Sequence, residues 1–249
     1  MLKLDRVIAV RNNKTIYRDG DRCVKVFGTD YSKADVLNEA LNQARIEETG
    51  LNIPKILEVT VEDGKWAIVS EYIKGRTLSQ MIKDDPSKKD EYIELLVDLQ
   101  LQMHSKKCPL LNKLKDIMSR KIVASALDAT TRYDLYRRLE AMPTHSKVCH
   151  GDFNPSNIII TDDGTPYILD WSHATQGNAS SDVARTYLLF WLDGDIDGAG
   201  KYLDMFCKKS STDKQYIQKW MPLVAAAQSV KGNEKEREFL LSWVNSKEF

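Results

Sequence analysis

Apolar and polar positions alternate in several short runs at the start of the chain. Residues 7–10, 15–18 and 23–27 are β-prone, with Asp19-Gly20 as a turn between the last two. Ser32 is placed to cap a helix running to about Glu48, with Leu37, Leu41, Ala44 and Ile46 as its apolar face and Gly50 closing it. Runs at 56–61 and 66–71 flank Asp63-Gly64, a hairpin signal. Beyond Gly75 the period changes. Tyr92, Leu95, Leu96, Leu99 and Met103 recur at helical spacing and predict a core-facing helix over 88–105. Two further helices fill 112–141. Strand character returns at 148–149, 158–160 and 167–169, the last two flanking Asp163-Gly164. Helices then follow at 181–192, 198–209, 213–228 and 234–245. The order predicts an α+β, bilobal chain: a small antiparallel β-sheet lobe with one helix over 1–73, and a larger, mainly helical lobe over 74–249. Two lobes on one connector imply a ligand-holding cleft.

Composition narrows the function. The 249 residues carry 36 Lys+Arg and 36 Asp+Glu, so the formal net charge is zero, which argues against a dedicated nucleic-acid binder. No apolar run reaches the roughly 20 residues that span a bilayer, and charges interrupt the start of the chain where a signal peptide needs an apolar stretch. A cytoplasmic protein without a membrane partner is expected. Cys23, Cys108, Cys149 and Cys207 form no CxxC pair and no zinc spacing, so they are expected to be reduced thiols.

The chemistry concentrates in His150-Gly151-Asp152-Phe153-Asn154-Pro155-Ser156-Asn157, followed by Ile168-Leu169-Asp170-Trp171. Asn157 and Asp170 offer oxygen ligands from the two ends of one hairpin, which suits Mg²⁺. Asp152, on the preceding loop, is placed to accept a proton from a hydroxyl brought to a metal-bound phosphate. A lone Asp beside a Gly reads as a turn residue; the whole combination is far more specific.

This stretch resembles the catalytic loop and metal segment of the aminoglycoside phosphotransferase and choline kinase superfamily, which shares the protein-kinase-like fold. The specific identity lies in 148–186, while the element order matches along nearly the whole chain. The resemblance implies that 1–73 is the nucleotide-binding lobe and that 74–249 carries catalysis and the acceptor. It implies a strand lysine on the nucleotide phosphates, Lys25, and a helix glutamate that orients it, Glu39. Ser70-Glu71-Tyr72-Ile73-Lys74-Gly75 resembles the family hinge, with Glu71 and Ile73 expected to hold adenine through their backbones. His150 is expected to order the loop, and Asp182 to brace it together with Arg185. His104 reads as a core histidine and His173 as solvent-facing. One departure stands out: the turn 10–15 has no glycine, where a protein kinase has GxGxxG. Its Asn and Lys residues can still donate to phosphate oxygens.

The expected activity is therefore transfer of a phosphoryl group from ATP, with Mg²⁺, to a hydroxyl of a small molecule. The acceptor is an aminoglycoside or a metabolite of the choline, ethanolamine or thiamine kind; partners are that acceptor and the nucleotide, and the sequence leaves the oligomeric state open. Asp193, Asp195 and Asp197 cluster between two helices and could neutralise an amine-bearing acceptor, but equally read as a solvated loop or a helix cap. Acidic and basic residues balance from 190 onward, so no acidic funnel is implied. Trp171, Tyr187, Trp191 and Trp220 could wall an ammonium, but at helical spacing read first as core. A nucleotide-binding scaffold without catalysis is the alternative of another class; the intact Asp152, Asn157 and Asp170 set speaks against it. The Gly after His150 and the lack of an Ala-Pro-Glu segment speak against a protein kinase.

Overall fold

The computed structural model describes residues 4, 6–11, 13–230 and 234–245. The chain forms two compact units, Met1–Asp84 with Pro155–His173, and Asp85–Asn154 with Ala174–Phe249. In chain order the first unit contributes β1 (Val7–Arg11), β2 (Lys14–Asp19), β3 (Arg22–Phe27), α1 (Lys33–Glu47), β4 (Ile56–Glu62), β5 (Lys65–Glu71), β6 (Gly75–Thr77) and α2 (Leu78–Asp84). The second contributes α3 (Lys89–His104), α4 (Leu114–Ala124), α5 (Ala129–Ala141) and β7 (Lys147–Cys149). The first resumes with β8 (Ile158–Thr161) and β9 (Pro166–Ile168). The second ends with β10 (Thr175–Gly177), α6 (Ala179–Leu192), α7 (Ile196–Ser210), α8 (Lys214–Gln218), α9 (Met221–Gln228) and α10 (Glu234–Asn245).

The first unit is built on an antiparallel sheet of order β1-β2-β3-β5-β4. Asp63 and Gly64 both have positive φ, 47° and 73°, which gives the β4–β5 hairpin the turn whose twist matches its strands. Alternation along β3 sends Val24 and Val26 to one face, packed with Ala67 and Val69. Phe27 points to the other face and packs with Ile68 and with Val36 and Ala40 of α1. Ser32 caps α1, its hydroxyl accepting the Asp35 N–H at 3.1 Å.

The buried face of α1 is not the one its leucines suggest. Leu37 and Leu41 are exposed, and the helix buries Val36, Ala40 and Ile46 with the polar Glu39 and Asn42. Each of these polar residues has partners there, so polar pairing as well as hydrophobicity sets the inward face.

A second sheet, β6-β8-β9, follows the hairpin of Ile158–Thr161 and Pro166–Ile168 with an added strand, β6. That strand, α2 and β10 do not stand out in the sequence. In the second unit the stretch 213–228 is two helices rather than one. Pro222 lies in the first turn of α9, where a missing N–H costs nothing but where it could not continue α8. Apolar faces of α3, α6, α7 and α9 bury Leu96, Met103, Leu188, Phe206 and Leu223. All four cysteines are free thiols.

Candidate active site

The first unit gathers three ionisable residues far apart in sequence. Lys25 shares the face of β3 that carries Phe27, the face covered by α1, because side chains two apart on a strand point the same way. There its Nζ lies 2.7 Å from Glu39 Oε1 and 3.5 Å from Asp170 Oδ1. Burial opposes the charge of the Lys25 ammonium, but the Asp170 and Glu39 carboxylates outweigh it and hold its pKa above that of an ordinary lysine. Glu39 is shared: its other oxygen takes Lys14 Nζ at 2.8 Å.

Asp170 is set by the hairpin before it. Ile158 pairs with Ile168, and the Leu169 N–H donates to the Asn157 carbonyl at 2.8 Å, so positions 157 and 170 lie at the same end of the β8–β9 pair. Asp170 adopts φ +58°, a left-handed conformation that turns the chain out of β9 into the short turn Trp171–His173. Non-glycine residues pay roughly 1–2 kcal/mol for that conformation, and such strain persists where surrounding structure enforces it. Here Asn42 of α1 donates to the Ser172 carbonyl at 3.3 Å, and Ile168 N–H donates to the Asn52 carbonyl at 3.0 Å. In the connector, the Glu71 carboxylate accepts the Lys55 N–H at 3.1 Å and the Glu71 N–H donates to the Lys55 carbonyl at 3.0 Å. Ile73 follows two residues beyond, half-buried.

The second unit holds the loop that carries Asp152. Buried strand β7 leads into His150, which is fully buried, and Nδ1 of His150 accepts the Asp152 N–H at 3.2 Å. Gly151 has φ +79°. Three residues on one face of α6, spaced i, i+3 and i+4, fasten the loop. Asp182 accepts the Gly151 N–H at 2.7 Å, Arg185 Nε donates to the Gly151 carbonyl at 3.2 Å, and the Thr186 hydroxyl donates to the Phe153 carbonyl at 2.9 Å. Asp182 is also met by His104 Nε2 at 3.0 Å and Gln100 Nε2 at 3.4 Å. Burial alone raises its pKa, but the His104 hydrogen bond and charge and the Gly151 amide bring it below the ordinary aspartate value. The Asp152 carboxylate meets Arg185 Nη2 at 3.4 Å through Oδ1 and Asn154 Nδ2 at 3.5 Å through Oδ2, and remains about a third exposed.

The acidic loop is organised by its own bonds. Asp193 ends α6 as its C-cap, and Asp195 caps α7, accepting the Gly198 N–H at 2.9 Å. Asp195 also pairs with Lys89 at 2.6 Å and Asp197 with Lys201 at 3.3 Å. Trp171 and Trp220 are buried core residues, and Tyr187 and Trp191 pack on Trp243 with ring centroids 6.0 and 5.3 Å apart. The parts that sequence reading passed over are Asn42, Asn154 and Thr186. Thr186 had a visible signal: with Asp182 and Arg185 it forms a polar stripe at i, i+3 and i+4 on a helix that is apolar from Leu188 to Leu192.

The model of the phosphotransferase enzyme family matches residues 7–220. The chain belongs to that family. No match was found among curated proteins. Solved structures share the fold. The crystal structure of a choline/ethanolamine kinase family protein from Mesorhizobium loti is 14% identical, with 99% of this chain and 90% of that one covered and a TM-score of 0.66. An aminoglycoside-3'-phosphotransferase of type VIII is 17% identical over 91% of this chain and 93% of that one, TM-score 0.67. A thermostable mutant of aminoglycoside phosphotransferase APH(4)-Ia, solved with ADP and hygromycin B, is 12% identical over 95% and 90%, TM-score 0.69. Membership and fold agree with the resemblance of the 148–186 motif, and the phosphotransferase fold is that of a β-sheet unit and a mainly helical one.

Proposed function

We propose that the protein is an ATP- and Mg²⁺-dependent kinase that phosphorylates a hydroxyl of a small molecule, with an aminoglycoside or a choline-, ethanolamine- or thiamine-type metabolite as acceptor. The observation that carries this reading is the Lys25 ammonium held on Glu39 and beside Asp170. Such an ammonium neutralises α- and β-phosphates. Family membership supports phosphotransfer, and the ADP complex of a similar fold supports a nucleotide as the donor.

The residues present fit Mg²⁺. Among the described residues no group of three or more His, Cys, Asp or Glu forms a metal cage. Mg²⁺ does not need one, since it is commonly held by one or two protein oxygens plus substrate phosphates. Asn157 and Asp170 supply those oxygens, and the bound ion would add charge neutralisation of the β- and γ-phosphates. Asp152 orients the acceptor hydroxyl and takes its proton as the acceptor oxygen bonds to the γ-phosphorus. The bond from that phosphorus to the β,γ-bridging oxygen breaks, and ADP leaves. Arg185 and Asn154 hold the two Asp152 oxygens, and His150 orders the loop. The Glu71 and Ile73 backbones take the adenine. Asp193, Asp195 and Asp197 serve first as caps and lysine partners, and an amine-bearing acceptor would have to compete with those lysines. The use of ATP as donor supports a cytoplasmic location. No helix among the described residues is long and apolar enough to cross a membrane.

The test is ADP release from MgATP over aminoglycosides, choline, ethanolamine, thiamine and sugars, with Asp152→Asn as the blank. One acceptor class should raise release well above that blank. Release equal to the blank for every acceptor would contradict the kinase reading, and MgATP binding without turnover would favour the scaffold.

A further inference from the structure

Glu39 is held by two lysines rather than one. Lys14 pairs with Phe27 across the β2–β3 ladder, and Ile16 pairs with Lys25. Directly opposite residues of an antiparallel pair share a face, so Lys14 and Lys25 are diagonal neighbours on the face beneath α1. Their ammonium groups take opposite oxygens of one carboxylate, Lys14 at 2.8 Å from Oε2 and Lys25 at 2.7 Å from Oε1. Lys14 is fixed from a further side, its Nζ lying 4.9 Å from the Phe27 ring centroid and 5.1 Å from that of Tyr31.

We propose that Lys14 is a positioning residue of the nucleotide-phosphate site, locking the Glu39 carboxylate so that Lys25 is presented in one place. The inference rests on the assignment of Lys25 to the phosphates. A glutamate held through one oxygen can swing with its partner; one held through both cannot. The charges support the same role. Lys14 and Lys25 are balanced here by Glu39 and by Asp170, which lies 3.5 Å from Lys25. Once Asp170 engages a divalent cation, Glu39 alone faces two ammoniums, and Lys25 has positive charge to offer a phosphate. Lys14 then keeps Glu39 in place while Lys25, still held on Glu39, faces the ligand.

The test compares wild type, Lys14→Met, Lys14→Arg, Glu39→Gln and the Lys14→Met/Glu39→Gln double variant, by calorimetry with MgATP, MgADP and adenosine. Lys14→Met should weaken MgATP and MgADP roughly tenfold and leave adenosine unchanged, Lys14→Arg should restore most of the loss, and Lys14→Met should add little in the Glu39→Gln background, the mark of residues acting through one another. Equal weakening of adenosine with a lowered Tm points to a merely structural role and overturns the proposal. So does full additivity with Glu39→Gln, or unchanged MgATP affinity in Lys14→Met while wild type binds. A wild type that binds no MgATP overturns the phosphate assignment and the Lys14 role with it.

Discussion

Under the proposed function, Lys25 and Asp152 make opposite demands on their surroundings. Lys25 has to stay charged while half-buried, and two carboxylates see to it. Because its folded-state pKa is raised, its ion pairs contribute stability in full below the unfolded lysine value of about 10.4 and lose it only as pH rises through the folded value. The stability difference between wild type and Lys25→Met, followed by urea unfolding, should therefore be flat from pH 6 to 9 and shrink only at more alkaline pH. Asp152 has to be reachable, and about a third of its side chain is exposed. Asp152→Asn should leave MgATP affinity near wild type and lower kcat by about 10²–10⁴, checked by calorimetry beside steady-state kinetics. At this scale the sequence was most informative where residues are close together in the chain. The spacing of Asp152, Asn157 and Asp170 is local. The bonds from Arg185 to Gly151 and Asp152 were less legible, because they depend on how α6 meets the loop, and that is a matter of tertiary packing.

At the scale of elements, α6 orders the Asp152 loop within the second unit, and β6 supports β8 within the first. Asp182 joins α6 to the Asp152 loop and to His104 of α3. Its pKa is depressed, so its contribution is present above the unfolded value of about 3.9 and is lost as pH falls through the folded value. Asp182→Asn should cost about 1–3 kcal/mol at neutral pH, and its Tm should fall less than that of wild type on acidification below pH 4. Gly75 of β6 is a close approach: a Cβ there would sit 2.3 Å from the Ile160 carbonyl oxygen. Gly75→Ala must push β6 away from β8, the strand that begins just after Asn157. It should lose about 1–3 kcal/mol and weaken Mg²⁺-dependent nucleotide binding, read by thermal unfolding with and without MgATP. Strands with clear alternation and the Asp63-Gly64 turn were legible in the sequence. The inward face of α1 was not. Its leucines point outward because Glu39 and Asn42 occupy the buried face, paired with lysines and with the Ser172 carbonyl, so polar pairing overrides hydrophobic periodicity there. The split of α8 from α9 was signalled by Pro222 and missed because the apolar run continues through it.

For the whole molecule, the two compact units are not two continuous segments. Pro155–His173 belongs with Met1–Asp84, so Lys25, Glu39, Asn157 and Asp170 lie in one unit although the Asp152 loop precedes that segment in the other. A fragment ending at Asp84 keeps the five strands of the main sheet but loses β8, β9 and Asp170, and should bind no MgATP by calorimetry. Family and fold were legible because the motif fixes the order of loop, hairpin and metal segment. The acceptor was not, because recognition of a small molecule depends on which surface groups tertiary packing leaves unmatched, and the acidic loop that suggested an amine is occupied by Lys89 and Lys201. The central claim is that Lys25, Glu39, Asn157 and Asp170 bind a metal-loaded triphosphate. Calorimetric titration of ATP with and without Mg²⁺, on wild type and Asp170→Ala, tests it most directly. Wild type should bind ATP much more tightly when Mg²⁺ is present, and Asp170→Ala should lose that increment. ATP affinity in wild type that is absent, or the same with and without Mg²⁺, would contradict it.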